Sequence, residues 1–192
     1  MEQNLNQPNV QLILSGDSQE FSKLVDDYKN LVFTVALRML KNPEEAEEVA
    51  QDTFIKVFKS IKNFKGDSKF STWIYRITYN TCLDRLKKIK KEQNISSFDE
   101  ISGLEIANLN TVLDDIERGE KSKLLKKCME LLSPNDSALL SFFYFEEKNL
   151  KELSKILSLS ENTVKVRLFR ARERLGSILK ERLNPETIRN YG

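Results

Sequence analysis

Basic and apolar residues alternate near the C-terminus of this 192-residue chain, in a pattern that suits contact with DNA. On a helix beginning near Glu161, one narrow face carries the residues expected to be buried: Val164, Leu168, Ala171 and Leu175. The opposite face carries Val166, Phe169 and Arg170. Apolar groups in the major groove meet thymine methyls, and an arginine can bridge O6 and N7 of guanine. A merely solvated basic helix has no use for the two apolar side chains, so we interpret this face as one that reads DNA.

The segment Leu150–Leu175 has the dimensions of a helix-turn-helix. A helix of about eight residues follows Asn149, a turn comes at Ser158–Ser160, and the longer helix begins near Glu161. In this motif the second helix enters the major groove, while flanking basic residues contact phosphates. Because repressors and response regulators also contain the motif, it indicates DNA binding without indicating the class of regulator.

An acidic helix, expected over about residues 43–61, offers a second interface. Asn42 can cap it, Pro43 suits its first turn, and Glu45 has the spacing of a capping box. Its periodicity predicts one buried stripe: Ala46, Ala50, Thr53, Val57 and Ile61. The opposite side carries Glu48, Gln51, Asp52, Ile55 and Lys59. An isoleucine among carboxylates favours a protein interface over a solvated acidic face. A metal site is disfavoured, since carboxylates have a simpler use at a helix N-terminus.

Aromatic and basic side chains are combined in the segment 64–91. Single-stranded DNA is held by stacking on aromatic faces and by cations along its phosphates, so this composition suits it. Four residues share one side of a helix expected over about 70–91, and core packing explains them better: Phe70, Trp73, Ile74 and Ile77. The preceding segment, residues 63–69, contains Gly66-Asp67-Ser68 and is predicted to be a loop outside that core.

Periodic apolar spacing with few glycines and prolines predicts an all-α fold. Between residues 94 and 118 the periodicity weakens, and six acids oppose one base. This composition indicates a flexible linker. We therefore expect two small helical domains, residues 1–93 and 119–192, that fold independently and are joined by the acidic linker 94–118.

Composition restricts the chemistry of the chain. Cys82 and Cys128 are far apart and there is no histidine, so neither a zinc site nor a disulfide framework is predicted. The lack of histidine also removes the commonest general base. The net charge of +2 conceals blocks of opposite sign, which suggest separate surfaces for separate partners. No apolar run reaches membrane length and the N-terminus lacks a signal-peptide core, so we expect a cytosolic protein.

The helix-turn-helix carries a more specific resemblance. Its sequence, LKELSKILSLSENTVKVRLFRARERL, is similar to the promoter-reading motif of bacterial sigma factors, especially the small extracytoplasmic-function (ECF) group. The resemblance implies that the −35 element is read by Lys165, Val166, Phe169 and Arg170. It implies contacts to the DNA backbone for Arg167 and Arg172. Family members often have alanine and glycine where this chain has Ser154 and Ser158, which predicts strain at Ser158 because glycine best tolerates positive φ.

The N-terminal half resembles the same family over residues 11–91. The segments AEEVAQDTF (46–54) and FKGDSKFSTWIYRI (64–77) match its polymerase-binding and promoter-melting parts in order and spacing. The resemblance implies that the clamp of the polymerase beta-prime subunit is bound by Glu48, Gln51, Asp52 and Ile55. It implies that a base flipped from the −10 element enters a pocket formed by Phe64, Lys65, Asp67 and Asn80. Further contacts to the −10 DNA are expected from Arg76, Arg85, Lys87 and Lys88.

The resemblance as a whole implies a sigma factor that binds the beta-prime and beta subunits of core RNA polymerase, recognises both promoter elements and helps melt DNA. It implies no catalysis and no cofactor, and it leaves open whether an anti-sigma factor restrains the protein. It also implies that the linker threads a basic channel later occupied by nascent RNA. One alternative is a regulator with a sensing N-terminal domain, although residues 1–93 lack the alternating strands and helices of a receiver domain. Another is a helical adaptor that binds protein alone, which leaves the basic and aromatic segment unexplained.

Overall fold

The computed structural model describes residues 7–92 and 118–182 of the chain. Every regular element in these two ranges is helical, which confirms the all-α prediction. The helices are α1 (Val10–Leu14), α2 (Ser18–Leu40), α3 (Pro43–Ser60), α4 (Phe70–Glu92), α5 (Arg118–Leu131), α6 (Pro134–Tyr144), α7 (Leu150–Leu157) and α8 (Glu161–Arg182), with a 3-10 turn at Ile61–Asn63. Of the predicted linker, 94–118, only Arg118 falls within the described residues.

Polar caps define the starts of the helices largely as the sequence predicts. The Asn42 side chain accepts a hydrogen bond from the backbone N–H of Glu45 at 3.1 Å, and Pro43 follows as the first residue of α3. The Glu45 carboxylate does not complete a capping box, because it binds Arg85 of α4 instead. A full capping box is present at the start of α7, where Asn149 and Glu152 bond reciprocally at 3.0 Å.

Helices α1 to α4 form the N-terminal domain around an apolar core. The predicted stripe of α3 is buried at Ala46, Thr53, Val57 and Ile61, and Ala50 is half-buried. The core side assigned to α4 is confirmed, with Phe70 and Ile74 buried and Trp73 and Ile77 partly buried against the same cluster. Aromatic rings meet edge to face here, as in the 5.4 Å pair of Tyr28 and Phe70. These contacts fix α4 and the loop before it.

Helices α5 to α8 form the C-terminal domain, and α7 and α8 are the two helices of the predicted helix-turn-helix. The turn between them has the predicted backbone conformation, because Ser158 has φ 55° and ψ 43°, in the left-handed region. Ser154 supports this turn by donating its hydroxyl to the Leu159 carbonyl at 2.5 Å. The hydroxyl thus supplies a hydrogen bond that alanine at this position cannot make.

The two domains pack against each other, which the sequence does not predict. Helix α7 lies against α4, and α6 lies against α2. A single hydrophobic cluster contains Tyr75 and Tyr79 of α4 together with Phe142 and Leu140 of α6. Periodicity shows that such residues are buried, but not whether their neighbours belong to the same domain. The two helical domains are therefore distinct in sequence but share part of their core.

No helix in the described parts of the chain is long and apolar enough to cross a membrane. Among the same residues, histidine, cysteine and acidic side chains nowhere gather in a group of three that could hold a metal ion. Cys82 and Cys128 are both buried free thiols. Burial raises the pKa of the Cys82 thiol to about 12, so this side chain acts as a small apolar residue.

Candidate nucleic-acid interface

The second helix of the helix-turn-helix, α8, exposes the predicted reading face. Val166 is 51% exposed and Phe169 is 47% exposed. The basic residues Lys165, Arg167 and Arg170 are exposed as well. The predicted opposite stripe is buried, at Val164, Leu168, Ala171 and Leu175. Large apolar side chains left exposed among arginines are typical of a contact surface, and the major groove offers partners for both kinds of group.

Local contacts hold this helix in position. The Ser160 hydroxyl accepts the backbone N–H of Thr163 at 3.2 Å and thereby caps the first turn of α8. Further along, Arg174 Nη1 lies 2.6 Å from Asp136 Oδ2 and ties α8 to α6. Because Asp136 is largely buried, loss of Arg174 would leave an unpaired charge in the domain core. The reading face is therefore presented by a rigid support.

Arg172 differs from the other residues predicted to contact the −35 element. Its side chain is half-buried, and its guanidinium lies over the rings of Phe143 and Tyr144, at 5.1 and 5.4 Å from their centroids. The buried Nε has no hydrogen-bond partner among the described residues. Such stacking contributes packing and cation–π attraction. Arg172 therefore links α8 to α6, a role that its place in the sequence does not reveal.

The acidic side of α3 is exposed as the sequence predicts, at Glu48, Gln51, Asp52 and Ile55. Ile55 is 50% exposed and lies in the middle of this surface. The structure adds Phe58, which is 57% exposed and meets Phe21 of α2 edge to face at 5.0 Å. Phe58 follows Ile55 by one helical turn, so the spacing was a signal that sequence reasoning missed. Two neighbouring apolar side chains give this surface a larger apolar centre than predicted.

The resemblance assigns Arg85 and Glu48 to different partners, but the structure pairs them. Arg85 Nη2 lies 2.9 Å from Glu48 Oε2 and 2.8 Å from Glu45 Oε1, and its Nε also bonds to Glu45. The hydrogen bond from Arg85 lowers the pKa of the Glu45 carboxyl. The guanidinium is therefore occupied in bridging α3 and α4. Lys87 and Lys88, close by on α4, are exposed.

The residues predicted to hold the −10 element fall into two groups. Phe64 is half-buried, and its ring packs on those of Phe70 and Trp73, with 5.2 and 5.4 Å between ring centroids. Phe64 therefore anchors the loop to the core of the N-terminal domain. The other loop residues, Lys65 and Asp67, are exposed. Exposed positions on α4 recur at three- and four-residue intervals, which places them on one face: Arg76, Asn80, Asp84 and Lys87. This face offers an amide and two cations to a nucleic-acid strand, together with one carboxylate.

The same loop touches the C-terminal domain. Lys155 of α7 donates a hydrogen bond from Nζ to the Asp67 carbonyl at 2.5 Å. Beside this contact, a cavity of about 300 Å³ lies between the domains and is lined by polar groups such as Thr72, Glu147 and Lys151. The helix-turn-helix domain thus contacts the backbone of the loop predicted to bind the −10 element, while the side chains of Lys65 and Asp67 remain exposed.

The geometry defines an all-helical protein in which a helix-turn-helix domain exposes a basic and apolar face, and a second domain exposes a separate acidic and apolar surface. Comparison with known families identifies the class further. Residues 24–92 match the model of sigma-70 region 2, and residues 122–175 match that of sigma-70 region 4. The two matched segments cover most of both domains.

Full-length relatives give the particular group. The chain is 31% identical over 180 residues to the ECF RNA polymerase sigma factor SigW of Bacillus subtilis, covering 90% of this chain and 95% of the relative. It is 33% identical over 159 residues to the ECF sigma factor SigM of the same organism, covering 83% and 94%. The chain belongs to the ECF family of RNA polymerase sigma factors.

Solved structures support the fold. The sigma factor RpoE of Bartonella quintana, in complex with the anti-sigma factor NepR, matches with a TM-score of 0.63 and 21% identity, covering 84% of this chain and 98% of that one. CnrH, in complex with the cytosolic domain of CnrY, matches with a TM-score of 0.60 and 19% identity, covering 90% and 95%. Both share the helical architecture described above.

Proposed function

We propose that this sigma factor reads the −35 element with the exposed face of α8. In this assignment Lys165, Val166, Phe169 and Arg170 face the bases, while Arg167 contacts the DNA backbone together with the outer edge of Arg172. The observation that carries the proposal is the exposure of Val166 and Phe169 among basic side chains on a helix whose other side is buried. A helix that only covered its domain would expose charge without large apolar groups.

The N-terminal domain provides the other two surfaces in this proposal. The polymerase clamp binds the acidic side of α3, where Glu48, Gln51 and Asp52 surround Ile55 and Phe58. The exposed face of α4 and the loop before it bind the −10 strand, with Asn80, Lys65 and Asp67 at the flipped base. Arg76, Lys87 and Lys88 lie beside its phosphates. The Arg85 contact assigned from sequence would require release from Glu45 and Glu48.

Energetics explain why the protein acts with polymerase. Opening DNA costs on the order of 1.4 kcal/mol per base-pair step, so a bubble of many steps costs roughly 10 kcal/mol or more. Stacking a few bases returns only ~1–3 kcal/mol for each base. Polymerase contacts must supply the remainder. We accordingly infer that the chain itself catalyses no reaction and works in the cytoplasm, where polymerase and DNA are. An anti-sigma factor, as bound to RpoE of Bartonella quintana, is a further candidate partner.

Two alanine substitutions on α8, one of an arginine and one of a lysine, test the proposed reading face. In holoenzyme, Arg170→Ala should weaken the free energy of binding to the preferred −35 sequence by roughly 1–3 kcal/mol and should relax the preference at one base position. The control is Lys180→Ala, which removes an exposed cation from the last turn of the same helix. Selection from a library of promoters randomised at the −35 element measures the base preference of both variants. A uniform loss of binding by Arg170→Ala, with unchanged base preference, would contradict the assignment.

A further inference from the structure

The N-terminal segment, residues 7–14, packs beside the loop that the proposed function assigns to the −10 base. This segment lies outside residues 24–92, which match sigma-70 region 2. Ile13 of α1 is buried in the same apolar cluster as Ile61 and Phe70, the residues that precede and follow the loop. Helix α1 also lies against the 3-10 turn that begins at Ile61. The N-terminal segment therefore shares the core in which both ends of the loop are fixed.

One side chain of this segment contacts the start of α4 directly. Gln7 Oε1 accepts a hydrogen bond from the backbone N–H of Phe70, the first residue of α4, at 3.3 Å. The side chain just before a helix usually accepts such a bond, but Lys69 stands there and an ammonium group has no acceptor. Phe70 is completely buried, and a buried N–H without a partner is costly. Gln7 therefore supplies, from 63 positions away, a cap that the local sequence lacks.

The segment is held in place by contacts that do not involve the loop. The backbone N–H of Asn9 donates to Glu20 Oε1 at 3.0 Å, and the Asn9 side chain accepts the backbone N–H of Leu12 at 3.3 Å. Glu20 lies in the first turn of α2, which Asp17 caps. These bonds tie the neighbours of Gln7 to α2. Removal of the Gln7 acceptor should therefore affect the start of α4 without displacing the segment.

The residues assigned to the flipped base depend on the junction between the loop and α4. Lys65 and Asp67 are exposed in the middle of the loop, whereas Asn80 is carried by α4 itself. Phe70 begins that helix, so the bond to its N–H fixes the place where the loop meets the helix. A site whose groups are ordered before the ligand arrives binds more tightly, because less conformational entropy is lost on binding.

We propose that residues 7–14 brace the loop that receives the flipped −10 base, and that Gln7 is a positioning residue for that base. The inference rests on the proposed function of the −10 surface and deepens it. Gln7 acts through the backbone of Phe70 rather than through contact with the base. Loss of its bond loosens the junction, so the base occupies the pocket for a smaller fraction of the time. Reading of the −35 element and binding of the polymerase clamp use other surfaces and are unaffected.

A base analogue that fluoresces when it is unstacked tests the proposal in holoenzyme. A promoter selected from a random library carries 2-aminopurine at each −10 position of the non-template strand in turn. Gln7→Leu removes the acceptor and should lower the flipping equilibrium constant about 2- to 10-fold, which corresponds to the loss of one net hydrogen bond. Gln7→Glu keeps an acceptor and places a negative charge near a helix N-terminus, so it should restore the fluorescence. The control, Gln11→Leu, makes the same substitution at an exposed position of α1 and should behave like the wild type.

Two further measurements separate positioning from a general loss of structure. Gln7→Leu should leave the base preference at −35 and the assembly with core polymerase unchanged, which a poorly folded chain would not do. Wild-type fluorescence in Gln7→Leu would overturn the proposal, as would an equal loss in Gln11→Leu or a failure of Gln7→Glu to restore the signal. A wild-type holoenzyme that raises the fluorescence at no −10 position would instead contradict the proposed function of the loop.

Discussion

The turn of the helix-turn-helix offers a quantitative test of the structure, because a non-glycine residue occupies a left-handed position there. Ser158 has φ 55°, a conformation that costs a residue with a Cβ roughly 1–2 kcal/mol. Ser158→Gly removes this cost but adds about 0.5–1 kcal/mol of lost chain entropy on folding. The expected net effect on the free energy of unfolding is a stabilisation between zero and about 1.5 kcal/mol, with a central value of about 0.75 kcal/mol. For a chain of this size, a gain of this order raises the melting midpoint by about 1–4 °C.

A nearby serine provides the control. The Ser160 hydroxyl accepts a hydrogen bond from the backbone N–H of Thr163 and caps α8. Ser160→Ala should therefore lower the free energy of unfolding by about 1 kcal/mol. Thermal unfolding followed by circular dichroism measures both substitutions on the full chain. The two serines lie two positions apart, yet the structure predicts opposite signs for them. A lower midpoint for Ser158→Gly would show that the turn is not strained and would refute the reasoning.

Three further predictions follow from the surfaces and boundaries. Asp52→Lys should weaken assembly with core polymerase by adding repulsion at the α3 surface, whereas Asp26→Lys, an equal charge change at an exposed site on α2, should not; equal pull-down of both variants would place the interface elsewhere. Arg172→Ala should lower the melting midpoint, because the contacts of the guanidinium with two aromatic rings are lost. If the exposed side of the guanidinium also contacts a phosphate, the slope of log affinity for promoter DNA against log salt concentration should fall by about 0.9. An unchanged slope would contradict a phosphate contact by Arg172. Limited proteolysis should cut first between about residues 94 and 118. The two fragments should remain associated, because the two domains pack against each other. A first cut within residues 44–91 or 150–175 would contradict the domain boundaries.

Much of the local structure follows from the sequence because its causes are local. Asn42 and Pro43 begin α3 through a cap and a fixed φ, and both act within one turn of the chain. The buried stripe of α8 and the exposed Val166 opposite it follow from helical periodicity alone. The residue type at one position predicts the left-handed turn at Ser158, which the structure confirms. The sequence therefore predicts those elements whose determinants lie within a few residues of one another.

The contacts that sequence reasoning missed join residues far apart in the chain. Tyr75 and Glu146 are separated by 71 positions, and Arg85 and Glu45 by 40. Periodicity shows that a side chain faces inward, but it carries no information about which distant residue it meets. For the same reason the sequence does not reveal that the Arg172 guanidinium stacks on Phe143, and its contact with DNA stays a prediction. The packing of the two domains and the pairing of Arg85 on α4 with Glu45 and Glu48 on α3 both depend on such distant pairs.

Promoter-dependent transcription with purified core polymerase tests the central claim most directly. Run-off transcription on a library of random promoters, with and without this protein, reports whether the chain confers promoter selection. The account predicts transcripts that depend on the protein and that share sequence near both −35 and −10, with selection near −35 relaxed at one position by Arg170→Ala. Transcripts that are the same with and without the protein would contradict the account.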